Sequence, residues 1–378
     1  MNDPRGSTAT LEPARRADPN LPLPERRPDP ADIKTLLVPG AAASAVDITG
    51  LPSVSVIVPT RNRARWLPYL FHALAEQVYP TALVEVVVID NSSSDDTEVV
   101  VGRWADVLPF STRFHRRPNN GPASSRNFGA AHSTGEVLAF TDSDCMPDPR
   151  WLLNGVRAMS GDVGLVTGQI VPRRIADTHF FFNTQLRPVL QDTGLYQTAS
   201  LFVPRRVFDT VGGFDETFSL GLGGILLGGE DTDLGWRIRH RGFEAVYRQD
   251  VSVVHLATPI SLRGWLARPL LAQTFPRLLR TIPELRDTAL WHRYFLSQAD
   301  FIFLVSLSGV AAALALSWWP PALLSLAFVW FTRATYAGMV KKGRFDKAAA
   351  ILVLLLTRAA LNLVVLLYAS ARYRRLVL

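Results

Sequence analysis

The chain has 378 residues, with 40 Lys and Arg against 33 Asp and Glu, and a single cysteine. That length exceeds one small domain, so a main domain with an appendage is expected, and one cysteine excludes an internal disulfide framework. The net charge of +7 comes without zinc-finger spacing or an aromatic-interleaved basic motif, which argues against nucleic acid and for anionic headgroups or phosphorylated ligands as partners.

Residues 1–50 are rich in Pro, Arg, Ala and Asp without apolar periodicity, and read as a disordered tail. They lack the central apolar stretch of a secretory signal, so the domain that follows is expected in the cytoplasm. SVSVIVPT (53–60) and VEVVVID (84–90) are β-branched runs ending in polar residues. Their almost continuous apolar character fits strands covered on both faces. Between them, residues 63–77 place Trp66, Leu70, Ala73 and Leu74 at helical spacing. NSSSDDT (91–97) is a loop and helix start, STRFHRR (111–117) a third strand, and GPASSRNFGAAHSTGE (121–136) a loop, short helix and turn. EVLAFTD (136–142) is the fourth strand. This alternation predicts an α/β fold, a parallel sheet with right-handed crossovers whose ligands sit beyond the carboxyl ends of the strands. Pro59, Thr60, Asp90, Asp142 and Asp144 all fall at such ends.

In AFTDSDC (139–145), Asp142 and Asp144 are two residues apart. In extended chain they would share a face. Paired hard oxygen donors suit magnesium or manganese, especially when phosphate oxygens complete the shell. An acidic turn is the plain alternative. Cys145, beside them, reads as a small buried filler rather than a reactive thiol.

PTRNR (59–63), VVVIDNSSSDDT (86–97), NNGPASSRNFG (119–129), LAFTDSDCMPDP (138–149), VGGFDETF (211–218) and GGEDTDLGWRIRHRGF (228–243) resemble, in order and spacing, the motifs of family 2 glycosyltransferases. The resemblance spans roughly residues 53–258. It implies the A-type nucleotide-sugar transferase fold, with a mostly parallel Rossmann-like sheet, and an inverting sugar transferase of cell-envelope polysaccharide synthesis. The implied donor is a nucleotide-diphosphate sugar, UDP-type favoured, with a divalent cation, magnesium or manganese, as cofactor. Asp144 would coordinate the metal and Asp142 the ribose or metal. His255, closing DVSVVH (250–255), stands where many members supply a further ligand, although a strand-end His is often structural. Asp90 would accept the imide hydrogen of a uracil-like base, beside Pro59, Thr60 and Arg61. Arg126 and Asn127 fall where the family contacts the nucleotide or positions its loop, and hydrogen bonding within the protein is the rival role for Asn127.

Inversion needs a base for the acceptor hydroxyl. In EDTDL (230–234) the second acid, Asp231, matches the family's base, and favourable placement of acids at a helix N-terminus is the alternative for its neighbours. The glycines of GLGGILLGG (221–229) lack phosphate-loop spacing and read as a mobile acceptor-side loop. Family members that polymerise processively carry Q-x-x-R-W after the base. QTFPR (273–277) has the wrong spacing, contains a proline and lacks the Trp, so one or few sugars per encounter are expected. Two rival classes stand beside this reading: a nucleotidyltransferase on a related sheet, and a catalytically silent membrane-anchored binding or scaffold protein.

Residues 260–286 mix Arg with Trp, Leu and Phe, and Pro269, Pro276 and Pro283 recur every seven residues. Short amphipathic pieces in a headgroup layer, or a soluble helical subdomain, fit that composition better than one long helix. Residues 299–318, 320–340 and 348–370 are apolar runs of bilayer-spanning length, which predicts two or three transmembrane helices and an inner-membrane location. A lipid-linked or glycan acceptor follows as the expected partner. The basic loop 341–347 favours the cytoplasmic side for its connection. A third full crossing would then carry the arginines of ARYRRLVL (371–378) outside, so the topology after residue 347 is open. The predicted organisation is a tail (1–50), a catalytic domain (51–258), an interfacial segment (259–298) and membrane helices (299–378).

Overall fold

A computed structural model describes residues 28–29, 50–173, 188–219, 228–258, 260–317 and 345–378, with side chains from residue 353 onward in the last part. Most of the expected tail, most of the glycine-rich loop at 221–229 and the apolar run at 320–340 lie outside the described residues. The chain forms two compact units. One comprises Met1–Asp192, Tyr196–Phe214 and Arg237–Pro259, the other Thr193–Leu195, Asp215–Trp236 and Ile260–Leu378.

In chain order the first unit contains β1 (Val54–Thr60), α1 (Leu67–Ala75), β2 (Val84–Asn91), α2 (Thr97–Ala105), β3 (Ser111–Arg117), α3 (Pro122–Ala131) and β4 (Val137–Phe140). There follow β5 (Cys145–Pro147), α4 (Trp151–Arg157), β6 (Val163–Arg173), β7 (Leu201–Pro204), α5 (Arg205–Val211) and β8 (Glu244–Leu256). The strands form one sheet of eight in the order β3-β2-β1-β4-β7-β6-β8-β5. Pairings within β3-β2-β1-β4 and between β6 and β8 are parallel, and β7 and β5 join antiparallel.

Every residue of β1 and β2 is buried, as two-sided coverage requires of a central parallel strand. On one side of α1, Leu67, Leu70, Phe71 and Leu74 join the main core. Trp66, Tyr69 and Ala73 pack with Met146, Val254 and Leu256 in a smaller cluster. Each large apolar side chain so buried contributes about 1.5–3 kcal/mol, enough to fix this crossover over the sheet. The chain moves outward from β1 to β2 and β3, then returns to place β4 on the other side of β1. That reversal opens a crevice at the carboxyl ends of β1 and β4, where open α/β sheets bind ligands. Further along, a Cβ on Gly168 would stand 1.6 Å from the carbonyl oxygen of Val251. The register of β6 against β8 shifts between Gly168 and Ile170, and only glycine admits the approach.

The boundary between the units falls within α6 (Glu230–His240), where Leu234 and Ile238 are fully buried and Gly242 follows at φ +90°. The second unit continues with α7 (Leu262–Ala267), a 3-10 turn (Arg268–Gln273), α8 (Thr274–Thr281), α9 (Leu285–Thr288), α10 (Gln298–Leu316) and α11 (Phe345–Tyr373). The segment 260–288 is thus broken into short helices, as its prolines require. Among the described residues, two helical stretches are long and apolar enough to cross a membrane, Gln298–Leu316 and Val353–Tyr373. The Leu296 amide donates to the Leu378 carbonyl at 3.0 Å, and the Leu378 amide donates to that of Tyr294 at 2.7 Å. The end of α11 therefore lies beside the start of α10, with Leu378 bonded to the residues just before α10.

Candidate active site

The acid pair sits in a turn. β4 ends at Phe140, and the Cys145 amide donates to the Asp142 carbonyl at 3.0 Å. Both acids thus lie in a tight turn between β4 and β5, and the extended-strand geometry expected for residues 136–142 stops two residues early. The turn also aims Cys145 inward. Its side chain is fully buried, and burial, with the Asp142 and Asp144 charges adding to it, pushes the thiol well above its ordinary value. Antiparallel pairing of β5 with β8 then sets His255 opposite Cys145.

His255 Nε2 donates to Asp144 Oδ1 at 3.0 Å, and the Leu256 amide donates to the Asp144 carbonyl at 2.8 Å. Burial alone would lower the imidazole's proton affinity. The hydrogen bond to Asp144 and the charges of Asp144 and Asp142 outweigh it and raise the pKa above 6.5. Burial likewise works to raise the Asp144 pKa, but the His255 hydrogen bond and charge, with Arg63, hold it below 3.8. Arg63 Nη2 lies 3.5 Å from Asp144 Oδ2. Buried Arg126, from α3, donates through Nη2 to Asp142 Oδ1 at 2.9 Å.

Ligand atoms of Asp142, Cys145 and His255 all lie within 4.8 Å of one another. A thiol held protonated is a poor partner for a hard cation. Asp142 and His255 of this group, with Asp144 hydrogen-bonded to His255, are carboxylate and imidazole donors of the kind that suit magnesium or manganese.

Asp90 is fully buried at the end of β2. Its oxygens accept the Ser93 amide at 3.1 Å and the Ser93 hydroxyl. That hydroxyl in turn accepts the Asn62 amide at 2.8 Å, while Asn62 Oδ1 accepts the Ser94 amide at 2.8 Å. The Arg63 amide donates to Thr97 Oγ1 at 3.1 Å, and the Ala64 amide to Asp95 Oδ2 at 3.1 Å. The loops after β1 and β2 are thereby clasped together. Asn62 and Ser92 take left-handed backbone angles, φ 53° and 57°, which non-glycine residues adopt at a cost that such a clasp offsets. Thr60 pairs with Asp90 in register. Its Oγ1 is buried without a hydrogen-bond partner among the described residues, a donor and acceptor left for a ligand. Pro59 precedes it within the buried strand.

Arg61 is exposed, whereas Arg63 faces the acids. The spacing of PTRNR does not tell the two apart, because the turn at Asn62 decides which one points back. Asn127 Nδ2 donates to the Phe214 carbonyl at 2.9 Å, and the Phe214 amide donates to Asn127 Oδ1 at 2.8 Å. This two-way bond fastens the VGGFD segment to α3, a structural role. Asp231 belongs to the second unit. It stands half-buried in the first turn of α6, with Oδ1 accepting the Thr232 amide at 2.7 Å. Buried Glu230 precedes it, and the Thr232 hydroxyl donates to the Leu195 carbonyl at 2.8 Å. Arg63, Asn62 and Ser93 are the contributors that sequence reasoning passed over. All three lie inside motifs already noticed.

A mostly parallel sheet with acids at its switch point has the layout in which open α/β proteins receive ligands. Residues 55–215 match the model of "Glycosyl transferase family 2". Glycosyltransferase AglE of Haloferax volcanii is 31% identical over 216 residues, covering 55% of this chain and 68% of AglE. The pre-mycofactocin glycosyltransferase of Mycobacterium tuberculosis is 31% identical over 230 residues, covering 57% of this chain and 45% of that protein. Validoxylamine A glucosyltransferase of Streptomyces hygroscopicus subsp. jinggangensis is 28% identical over 227 residues, covering 51% of this chain. The match spans about half the length of the latter two relatives, 45% and 52%. The mannosyltransferase PcManGT of Pyrobaculum calidifontis, solved with GDP-Man and Mn2+, superposes with a TM-score of 0.51 at 23% identity, over 91% of this chain and 93% of that one. The chain belongs to glycosyl transferase family 2, and its fold is the A-type fold that the motifs imply.

Proposed function

We propose that this glycosyltransferase is membrane-anchored, inverting and metal-dependent, and moves a sugar from a nucleotide-diphosphate donor to a hydroxyl of a lipid-linked acceptor. The observation that carries the reading is the approach of Asp142 to His255 at the sheet's switch point, with Asp144 hydrogen-bonded to His255 and close to Arg63, and Arg126 bonded to Asp142. A divalent cation there would neutralise charge on the departing diphosphate. Asp144 and His255 hold each other in place, and Arg126 orients Asp142. The nucleoside is received where Asp90 and Ser93 fix the loops and the Thr60 hydroxyl stands unpartnered, with a UDP-type donor favoured. Asp231 takes the acceptor's proton as the anomeric carbon is attacked. Helices α10 and α11 supply the anchor, with the catalytic unit on the cytoplasmic side. Products carry one or few added sugars.

Purified membranes containing the chain, supplied with a panel of nucleotide sugars and labelled lipid acceptors, test this directly. Release of nucleoside diphosphate and a mass increment of one sugar on the lipid are expected from the native chain. Asp144→Ala should show neither. Equal activity of that variant, or transfer to a soluble sugar alone, would count against the proposal.

A further inference from the structure

Arg280, at the end of α8, meets Arg372, Tyr373, Arg374 and Arg375, at the end of α11, around a cavity of about 350 Å³. All four guanidinium groups belong to exposed residues. Among the described residues none of them is paired with a carboxylate. Arg375 Nε donates to the Leu279 carbonyl at 3.3 Å and Arg372 Nη1 to the Tyr368 hydroxyl at 3.2 Å. Arg374 takes a left-handed backbone angle, φ 54°. A helix C-terminus carries about half a negative charge, which the first of these cations offsets. Four converging cations exceed that need and repel one another unless an anion stands between them.

The surroundings say what carries the anion. The cavity lies in the tail that bonds back to Tyr294 and Leu296, directly before α10. Trp291, Phe295 and Phe301 cluster there with ring centroids 5.1 to 6.0 Å apart, and Arg286 lies over the Tyr294 ring at 5.1 Å. Rings and arginines at the foot of apolar helices mark a headgroup layer. The helices leaving that layer expose large apolar side chains, among them Leu307, Leu314, Val364 and Leu367. A ligand with an anionic head and an apolar tail satisfies both parts of this surface at once.

We propose that the four-arginine cavity is a binding site for the phosphate headgroup of an anionic membrane lipid, which fixes the second unit's depth and orientation at the bilayer surface. This rests on the membrane reading of α10 and α11. The site uses residues outside the catalytic constellation, and none of Arg280, Arg372, Arg374 and Arg375 is assigned a part in transfer.

The full chain, purified in a neutral detergent, is offered phosphatidic acid, phosphatidylglycerol or phosphatidylcholine, and retained lipid is counted by native mass spectrometry. Retention of the two anionic lipids about 10-fold or more above the zwitterionic one is expected. Arg280→Gln/Arg374→Gln should abolish the preference, since neither side chain makes a hydrogen bond that the fold would lose. Arg103→Gln/Arg263→Gln, with the same charge removed elsewhere, should keep it. Melting temperature checks that both variants fold. Indifference to headgroup charge, or an unchanged preference in the cavity variant, overturns the proposal. Competition by inorganic phosphate at equal concentration also overturns it, because the site would then read a free anion. Carbonate extraction of native membranes separates the underlying reading. An integral chain without lipid preference refutes the site alone, whereas a chain released as peripheral refutes the membrane reading and the site with it.

Discussion

His255 and Asp144, 111 positions apart in the chain, meet with Nε2 and Oδ1 3.0 Å apart and both side chains mostly buried. β5 is only three residues long, yet its pairing with β8 delivers this contact. The pair ties the carboxyl-terminal strand of the first unit to the turn that carries the acids. Neither group can lose its partner without leaving a poorly solvated charge, which costs about 3–5 kcal/mol when a buried pair is broken.

Stability in a chelator should therefore depend on pH in a defined way. The His255 pKa is raised above 6.5, so its contribution is complete below that value and fades as pH rises through the folded pKa. The Asp144 pKa is lowered below 3.8, so its contribution is complete above that value and fades as pH falls through the folded pKa. Melting temperature should be highest between those limits. His255→Gln keeps a hydrogen-bonding side chain but removes the charge, and should flatten the upper slope. A slope identical to that of the native chain would place the titration elsewhere.

The proposed donor set carries an expectation of metal dependence. Chelation should abolish transfer, and added manganese or magnesium should restore it. Asp144→Ala should weaken donor binding and stop turnover, because it removes a proposed ligand and leaves His255 without its hydrogen-bond partner. Calorimetric titration of donor with and without the cation checks the first claim, and product assays the second. Full activity in excess chelator would refute it.

The proposed base can be tested by a near-isosteric change. Asp231→Asn keeps an oxygen able to accept the Thr232 amide, now bonded at 2.7 Å, while losing proton acceptance. Transfer should fall by at least ~10²-fold with donor affinity unchanged. Near-normal transfer would move the base to another carboxylate, with Glu230 the next to test.

How much of this was legible in the sequence depends on whether neighbours in space were neighbours in the chain. β1, β2 and the helix between them followed from apolar runs and 3.6-residue spacing, because burial on both faces leaves a local mark. β5 and β7, of three and four residues, leave none, and they are what brings His255 to the acids. Alternation along a strand suggested a shared face for Asp142 and Asp144, but both lie in a turn closed by the Cys145 amide, where that alternation does not apply. Nothing local in PTRNR marks Arg63 as the arginine beside Asp144, because the left-handed Asn62 turns the chain between Arg61 and Arg63. The tail at 371–378 posed a topological conflict that no local pattern could resolve, because its position beside the start of the first apolar helix is set by hydrogen bonds to Tyr294 and Leu296, distant in the chain.

The clasp between the first two loops gives the last prediction. One hydroxyl, Ser93 Oγ, donates to Asp90 and accepts the Asn62 amide at 2.8 Å. Ser93→Ala leaves a fully buried carboxylate short of a donor and a backbone amide without its acceptor. A loss of about 1–3 kcal/mol is expected from unmet buried groups. It should fall on the loops proposed to receive the nucleoside, where Asn62 and Ser92 already hold unfavourable backbone angles. The KM for donor should therefore rise more than kcat falls, and hydrogen exchange should quicken at residues 61–64 and 92–95. Ser92→Ala is the control, because the Ser92 hydroxyl donates to the Arg117 carbonyl at 2.8 Å at an exposed position. If the two variants raise KM equally, the clasp is not what positions the donor. If Ser93→Ala lowers kcat alone, its hydroxyl acts in the reaction rather than in holding the loops.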